Sequence, residues 1–95
     1  MKVYLLTFNY DLAPRQTVLD YLDTRREVLN WYAFLQGSVF LVSRSSIIDM
    51  ETLFAIRFPN VFFVIIEVSA GKCGGWLPKQ TWEFVNQPKS SGRWE

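Results

Sequence analysis

The segment that most constrains this fold is Val-Phe-Phe-Val-Ile-Ile-Glu-Val, residues 61–68, in which seven of the eight residues are apolar. β-Branched and aromatic residues dominate it, so it predicts a β-strand. Successive side chains of a strand point to opposite faces of the sheet. Both faces of this strand are apolar: Phe62, Val64 and Ile66 lie on one, and Val61, Phe63 and Ile65 on the other. A sheet built on it must therefore be covered on both sides.

Residues 3–10, Val-Tyr-Leu-Leu-Thr-Phe-Asn-Tyr, predict a second strand of the same kind. Its faces carry Val3, Leu5 and Thr7 on one side, and Tyr4, Leu6 and Phe8 on the other. Each large apolar side chain left in water forfeits roughly 1.5–3 kcal/mol. The second face needs a cover, either a C-terminal helix carrying Trp76, Trp82 and Phe84 or a second copy of the chain. We expect a homodimer with sheet faces or edges meeting, because small apolar domains commonly close by two-fold symmetry.

The first helix is predicted to run from Arg15 to about Leu29. Apolar residues recur there at helical spacing. Pro14 suits the first turn of a helix, and Asn30 is the expected end.

Two more helices are expected further along the chain. Ser45 or Ser46 can cap the first of them, and Pro59 stops it. Residues 76–85, with Pro78 near their start, predict a short C-terminal helix.

The segment between the first two helices predicts a β-hairpin. Residues 31–35 and 38–43 read as strands that are joined by a tight turn at Gln36-Gly37. The alternative is one long strand with a bulge at Gly37.

The predicted order is β-α-β-β-α-β followed by an extra helix. This order is typical of an α+β domain with the ferredoxin-like arrangement. Residues 1–87 form the predicted domain, and residues 88–95 a polar C-terminal tail that we expect to be mobile.

Composition excludes several classes of site. Ten Lys and Arg oppose nine Asp and Glu, so there is no general basic excess for nucleic acid. Histidine is absent, which excludes Ser-His-Asp and Cys-His catalysis and histidine metal sites. The single cysteine, Cys73, cannot form an internal disulfide and fits a cytoplasmic setting. No apolar run is long enough to predict a membrane span or a secretory signal.

Three motifs carry a resemblance to known families. Tyr10-Asp11-Leu12 ends the first strand, and Gln36-Gly37-Ser38-Val39-Phe40 forms the hairpin. These resemble the small CRISPR-associated adaptation nucleases, which carry a Tyr-Asp-Ile-like strand end and a Gln-x-Ser-Val-Phe-like hairpin. The segment Gly75-Trp76-Leu77-Pro78-Lys79-Gln80-Thr81-Trp82 is more similar to the SinR-like proteins, which tend to end in a Gly-Trp-Leu-Pro-Lys segment and a short aromatic helix. The VapD-like toxins share that fold, and the resemblance covers about residues 2–86.

The resemblance implies a ferredoxin-like homodimer. In the CRISPR family the strand-end aspartates of two subunits are proposed to face each other and hold a divalent cation. By that match Asp11 is the corresponding residue here. The arginine-rich helix start of that family is reduced to Arg15 in this chain, and SinR-like proteins have no established activity.

Asp11 is the main candidate for chemistry. Mg²⁺ keeps several waters and needs only one or two carboxylates, so a two-fold axis could supply the second. The more common role for a strand-end aspartate is to cap the following turn or helix.

Four arginines are candidates for binding phosphate: Arg15, Arg25, Arg26 and Arg44. Arg44 follows the hairpin and Arg15 follows Asp11, so the two are candidates to be neighbours. The alternative is a solvated surface on which Arg26 pairs with Asp23 at i,i+3 spacing.

The remaining candidates favour structural roles. Trp31, Tyr32 and Phe34 could stack bases, but buried hairpin packing is the preferred interpretation. Trp76 and Trp82 are expected to dock the C-terminal helix. Residues 69–75, with Lys72 and Cys73, lack the phosphate-loop pattern and read as a linker with a bystander thiol.

The sequence thus favours a non-catalytic, dimeric binding or adaptor module and leaves catalysis open. The alternative is an Mg²⁺-dependent endonuclease acting on RNA or DNA with Asp11 as metal ligand. Mg²⁺ is the candidate cofactor, and nucleic acid is a candidate partner beside the second copy.

Overall fold

The computed structural model describes residues 1–69 and 71–94. Within them the chain forms a four-stranded antiparallel sheet with three helices, which confirms the α+β class. The elements are β1 Lys2–Phe8, α1 Arg15–Asp23, β2 Asn30–Leu35, β3 Ser38–Ser43, α2 Ile47–Arg57, β4 Phe63–Val68 and α3 Lys79–Asn86. The strand order is β2-β3-β1-β4, so β2 and β4 are the edges.

Helices α1 and α2 cover one face of the sheet, here called the helix face. Tyr4, Leu6 and Phe8 of β1 are buried on it, as the alternation predicts. Phe54 of α2 lies at its centre, with its ring centroid 4.6 Å from that of Phe63 and 4.8 Å from that of Phe58. This dense aromatic packing makes the helix face the main core.

The opposite face, here called the second face, is also apolar but only partly covered. Helix α3 packs over β2 and β3, where Val85 is buried and the Phe84 ring lies 5.7 Å from that of Tyr32. The β4 half has no such cover among the described residues: Phe62 is 87% exposed, Ile66 52% and Val64 50%. The C-terminal helix therefore covers half of the face, and the other half is open.

Helix α1 is shorter than predicted, ending at Asp23 instead of near Leu29. The Thr24 hydroxyl donates to the Tyr21 carbonyl (2.7 Å) where the helix stops. The Leu29 backbone N–H then donates to the Val42 carbonyl (2.8 Å), and Asn30 opens β2. The chain thus gains a sheet hydrogen bond and buries Leu29 by leaving the helix early.

The predicted hairpin turn at Gly37 is confirmed. The Phe8 N–H donates to the Gly37 carbonyl (2.9 Å), which brings the turn against the end of β1. A Cβ at Gly37 would lie 2.8 Å from both the Phe8 carbonyl oxygen and the Tyr10 ring. The position needs glycine because of this close approach.

Capping residues and prolines set the bounds of the other two helices. Ser46 caps α2, since its side chain accepts from the Asp49 N–H (3.2 Å), and Arg57 ends the helix before Pro59. Helix α3 begins at Lys79, later than the predicted residue 76, because Pro78 has extended backbone angles (ψ 149°).

Residues 88–94 of the C-terminal tail are docked onto the domain, contrary to the expectation of a mobile segment. The Ser91 N–H donates to the Leu29 carbonyl (2.9 Å), and the Trp94 indole N–H donates to the Val28 carbonyl (3.2 Å). Trp94 also packs against the buried cluster on the second face, which consists of Val3, Leu29, Phe40, Val42 and Val85. These contacts cross the predicted boundary between residues 87 and 88.

Tyr4 links the core to the start of α2. Its ring is fully buried, and its hydroxyl donates to the Ser45 carbonyl at 2.6 Å. We expect Tyr4→Phe to lower the free energy of unfolding by about 1–2 kcal/mol, because the Ser45 carbonyl loses its donor. Urea unfolding at pH 7 measures the loss, and an unchanged midpoint would contradict it.

The same residue gives a signature at alkaline pH. Burial raises the pKa of Tyr4 above its ordinary value of 10.0, and the charges of Glu67 and Asp49 raise it further. The folded state therefore holds the Tyr4 proton more tightly than the unfolded state does. The contribution of this proton to the free energy of unfolding is complete below pH 10.0 and is lost as the pH rises through the folded pKa. Unfolding curves above pH 10.0 should fall more steeply for the wild type than for Tyr4→Phe; equal slopes would contradict this.

Candidate functional site

Asp11 lies in the exposed loop between β1 and α1. Its backbone N–H donates to the Asn9 side-chain oxygen (3.1 Å), and the Asn9 carbonyl accepts from Leu12 and Ala13. Helix α1 starts after Pro14 without a side-chain cap. The capping role predicted for Asp11 is therefore wrong, since Asn9 shapes this turn.

The metal fit of Asp11 depends on a second chain. Its carboxylate is exposed, a suitable hard oxygen ligand for Mg²⁺. Over residues 1–69 and 71–94, no cluster of three or more Asp, Glu or Cys side chains could hold a metal ion. One chain thus offers one carboxylate at this loop, and the metal role remains a prediction.

The strand end and the hairpin, two of the motifs noted in the sequence, meet in space. The Gly37 turn lies against Tyr10, and the Asn9 N–H donates to the Phe62 carbonyl (3.1 Å). This end of the sheet, where β1 ends and β3 and β4 begin, is the Asp11 end. It exposes Leu12 and Leu35 beside the lone acid.

The four arginines do not form one strip. Arg15 starts α1 at the Asp11 end, whereas Arg25 and Arg26 follow the other end of that helix, roughly 14 Å away for nine residues. Arg44 follows β3, which runs antiparallel to β1 and ends opposite Lys2. Arg44 and Arg15 therefore lie at opposite ends of the sheet, so the expected proximity is wrong.

Arg25 and Arg26 are both engaged in contacts within the chain. Arg25 pairs with Glu27 at 3.4 Å, and the Arg26 guanidinium lies 5.2 Å from the centre of the Trp94 ring. Asp23, the predicted partner of Arg26, instead binds Arg93 at 3.0 Å. Arg93 was not anticipated, because its contact joins positions 70 residues apart.

The hairpin aromatics have structural roles, as preferred. The Phe34 and Phe40 rings stack at 4.6 Å, and the Trp31 indole N–H donates to Asp23 (2.7 Å). Tyr32 lies beneath Phe84 of α3. These rings are engaged within the chain and do not form an open platform for bases.

Trp76, just before α3, does not dock the helix as expected, because its side chain is 99% exposed. The Cys73 thiol is exposed and donates to the Ser69 carbonyl (3.3 Å). Together with Trp82 and the stacked pair Phe34 and Phe40, residues 73–77 line an open apolar cavity of about 270 Å³ on the second face. The cover is thus incomplete even over the central strands.

Within the described residues, no helix has the length and apolar character needed to cross a membrane. Comparison with known proteins gives no match to a family model, a curated protein or a solved structure.

Proposed function

We propose that this chain is a ferredoxin-like, homodimeric and non-catalytic binding or adaptor module of the cytoplasm, related to the SinR-like and small CRISPR-associated adaptation nuclease families. The strand order, read from the β4 edge as 4-1-3-2, supports the ferredoxin-like arrangement. In it, α1 and α2 each connect two strands that flank a third, and α3 is the extra helix. The single cysteine is consistent with a reducing compartment.

The open half of the second face is the observation that carries this proposal. Phe62, Val64 and Ile66 present a continuous row of apolar side chains along β4. A row of this kind on a small domain typically marks a protein interaction surface. The chemistry of the surface therefore fits another protein surface better than a polyanion.

The distribution of charged residues supports a non-catalytic role. Asp11 is exposed, and the loop that carries it contains no second acidic residue. The arginines that could hold a phosphate are divided between the two ends of the sheet. Cleavage of a phosphodiester would need these groups together at one scissile bond.

Replacement of Asp11 by asparagine tests the proposal against the nuclease alternative. We expect wild type and Asp11→Asn to leave labelled single-stranded RNA and duplex DNA equally intact in Mg²⁺ or Mn²⁺. The substitution keeps the size of the side chain and removes the charge that a hard cation requires. Gel analysis of substrate with time, with EDTA as the control, makes the measurement.

Two outcomes separate the alternatives. Metal-dependent cleavage by the wild type that Asp11→Asn abolishes, with an unchanged circular dichroism spectrum, would overturn the non-catalytic proposal and assign Asp11 as ligand. Equal, background-level cleavage would support the binding module.

A further inference from the structure

The outer edge of β4 is the surface from which a more specific inference follows. Among the residues that the structure describes, β4 pairs only with β1, so its other edge faces outward. Its sequence, Phe-Val-Ile-Ile-Glu-Val, lacks the lysine, proline or bulge that commonly protects an edge strand. An unprotected apolar edge is a template for pairing with another strand.

The other edge strand, β2, is protected. A register irregularity lies between Ala33 and Leu35, which interrupts regular pairing. Helix α3 packs over its second face, and the Asn30 side chain donates to the Lys89 carbonyl of the docked tail (3.1 Å). Strand β2 thus has features that hinder edge pairing, and β4 lacks them.

A groove runs along the available edge. It has a volume of about 310 Å³ and is lined by Ile47 and Glu51 of α2 and by Phe63, Val64 and Ile65 of β4. Apolar surface therefore continues from the second face around the edge to the helix face. A strand laid along β4 would contact this surface on both sides, whereas a partner placed flat on the second face would leave the groove empty.

We propose that the occupant is β4 of a second copy, paired antiparallel about a two-fold axis at Val64. This rests on the proposed homodimer and specifies its interface. The two four-stranded sheets join into one sheet of eight strands, and the interface is isologous because the same strand serves both copies.

The position of the axis follows from the side-chain pairs. Opposite residues of an antiparallel ladder share a face, so the axis must pass through a residue and not between two. At Val64 it sets Phe62 opposite Ile66 and Phe63 opposite Ile65 of the second copy, which are apolar pairs, and it sets Glu67 opposite Val61, which precedes β4. At Ile65 it would set Phe63 against the charge of Glu67. The register at Val64 leaves Glu67 outside this apolar stretch.

The size of the surface is appropriate for a specific dimer. On the second face Phe62 of each copy lies beside Ile66 of the other, so each side chain buries the flank that it turns to its neighbour. The strand backbones, the Val64 pair and the Ile47 groove add to this contact toward the roughly 1,000 Å² expected of a specific interface. Because the row formed by Phe62, Val64 and Ile66 pairs with itself in this register, a second copy of the chain is sufficient as the partner.

This register separates the two Asp11 loops. Asp11 lies beyond the end of β1, at the end of the sheet where β4 begins. A two-fold axis through Val64 reverses the second copy, so its Asp11 end lies at the opposite side of the joined sheet. The two carboxylates could not share one cation in this dimer.

Disulfide trapping tests the register. In a Cys73→Ser background, Val64→Cys should give a covalent dimer on mild oxidation, because facing residues have Cα atoms about 4.5–5.5 Å apart. Ile66→Cys should not, since its equivalent lies four residues along the ladder, about 13 Å away. The double variant Phe62→Cys/Ile66→Cys should link again, because these two residues face each other. Ile56→Cys, exposed on α2, measures chance collision.

The outcomes are read from non-reducing gels beside the mass in solution. Efficient linking of Val64→Cys and of the double variant, with Ile66→Cys and Ile56→Cys at background, supports the register. A dimeric mass with Val64→Cys at background would overturn the β4 pairing and leave the dimeric module intact. A monomeric mass for the Cys73→Ser parent would overturn both.

Discussion

Replacing Val64 by lysine should dissociate the dimer, weakening self-association by at least about 100-fold, or roughly 3 kcal/mol. The substitution places two ammonium groups opposite each other at the two-fold axis, and like charges directly opposite destabilise a strand pair. Lysine is also a residue that natural edge strands use against pairing. Val64 is 50% exposed in one chain, so the lysine can reach water without unfolding the monomer. Sedimentation velocity over a dilution series measures the change.

Ile56→Lys is the matched control. Ile56 is 74% exposed on α2, away from the β4 edge, so the same change of charge there should leave the association constant unchanged. A similar loss from both variants would indicate a general charge effect. Undiminished association of Val64→Lys would place the interface elsewhere.

The second large effect is expected from removing residues 88–95. We expect the free energy of unfolding to fall by about 2–4 kcal/mol, because the half-buried Trp94 and several hydrogen bonds are lost. The two bonds of Arg93, to Asp23 and to the Val28 carbonyl, are among them. For a domain of this size the melting temperature should drop by roughly 10–20 °C.

Thermal unfolding followed by circular dichroism measures this, with Lys89→Ala as the matched control. The Lys89 side chain is exposed, and its carbonyl, which accepts from Asn30, is kept. The control should melt with the full-length chain. A truncated chain that also melts with the wild type would show that the docked tail adds no stability.

The strands could be predicted because their information is local. The β-branched and aromatic runs of β1 and β4 specify extended structure, and their alternation assigns each side chain to a face, as Leu6 and Leu5 illustrate. The end of α1 could not be predicted in this way. It depends on the hydrogen bond between Leu29 and Val42, which forms only once β3 is in place.

In the candidate site, too, some features depend on the local sequence and others depend on the topology of the sheet. The exposed position of Asp11 after the first strand agrees with its sequence context, but its neighbours depend on topology. The positions of Arg15 after a strand and of Arg44 after a hairpin predict that the two are neighbours, but the antiparallel course of β3 separates them. The composition of the tail predicts mobility, yet Arg93 donates a hydrogen bond to Asp23, which lies 70 residues earlier in the chain.

The mass of the wild-type chain in solution tests the central claim, that a second copy closes the open edge of β4. Sedimentation equilibrium at about 100 μM should give about 22 kDa, twice the 11.1 kDa of one chain. A mass of 11.1 kDa that persists to about 1 mM would contradict the claim, since the outer edge of β4 would then remain unpaired.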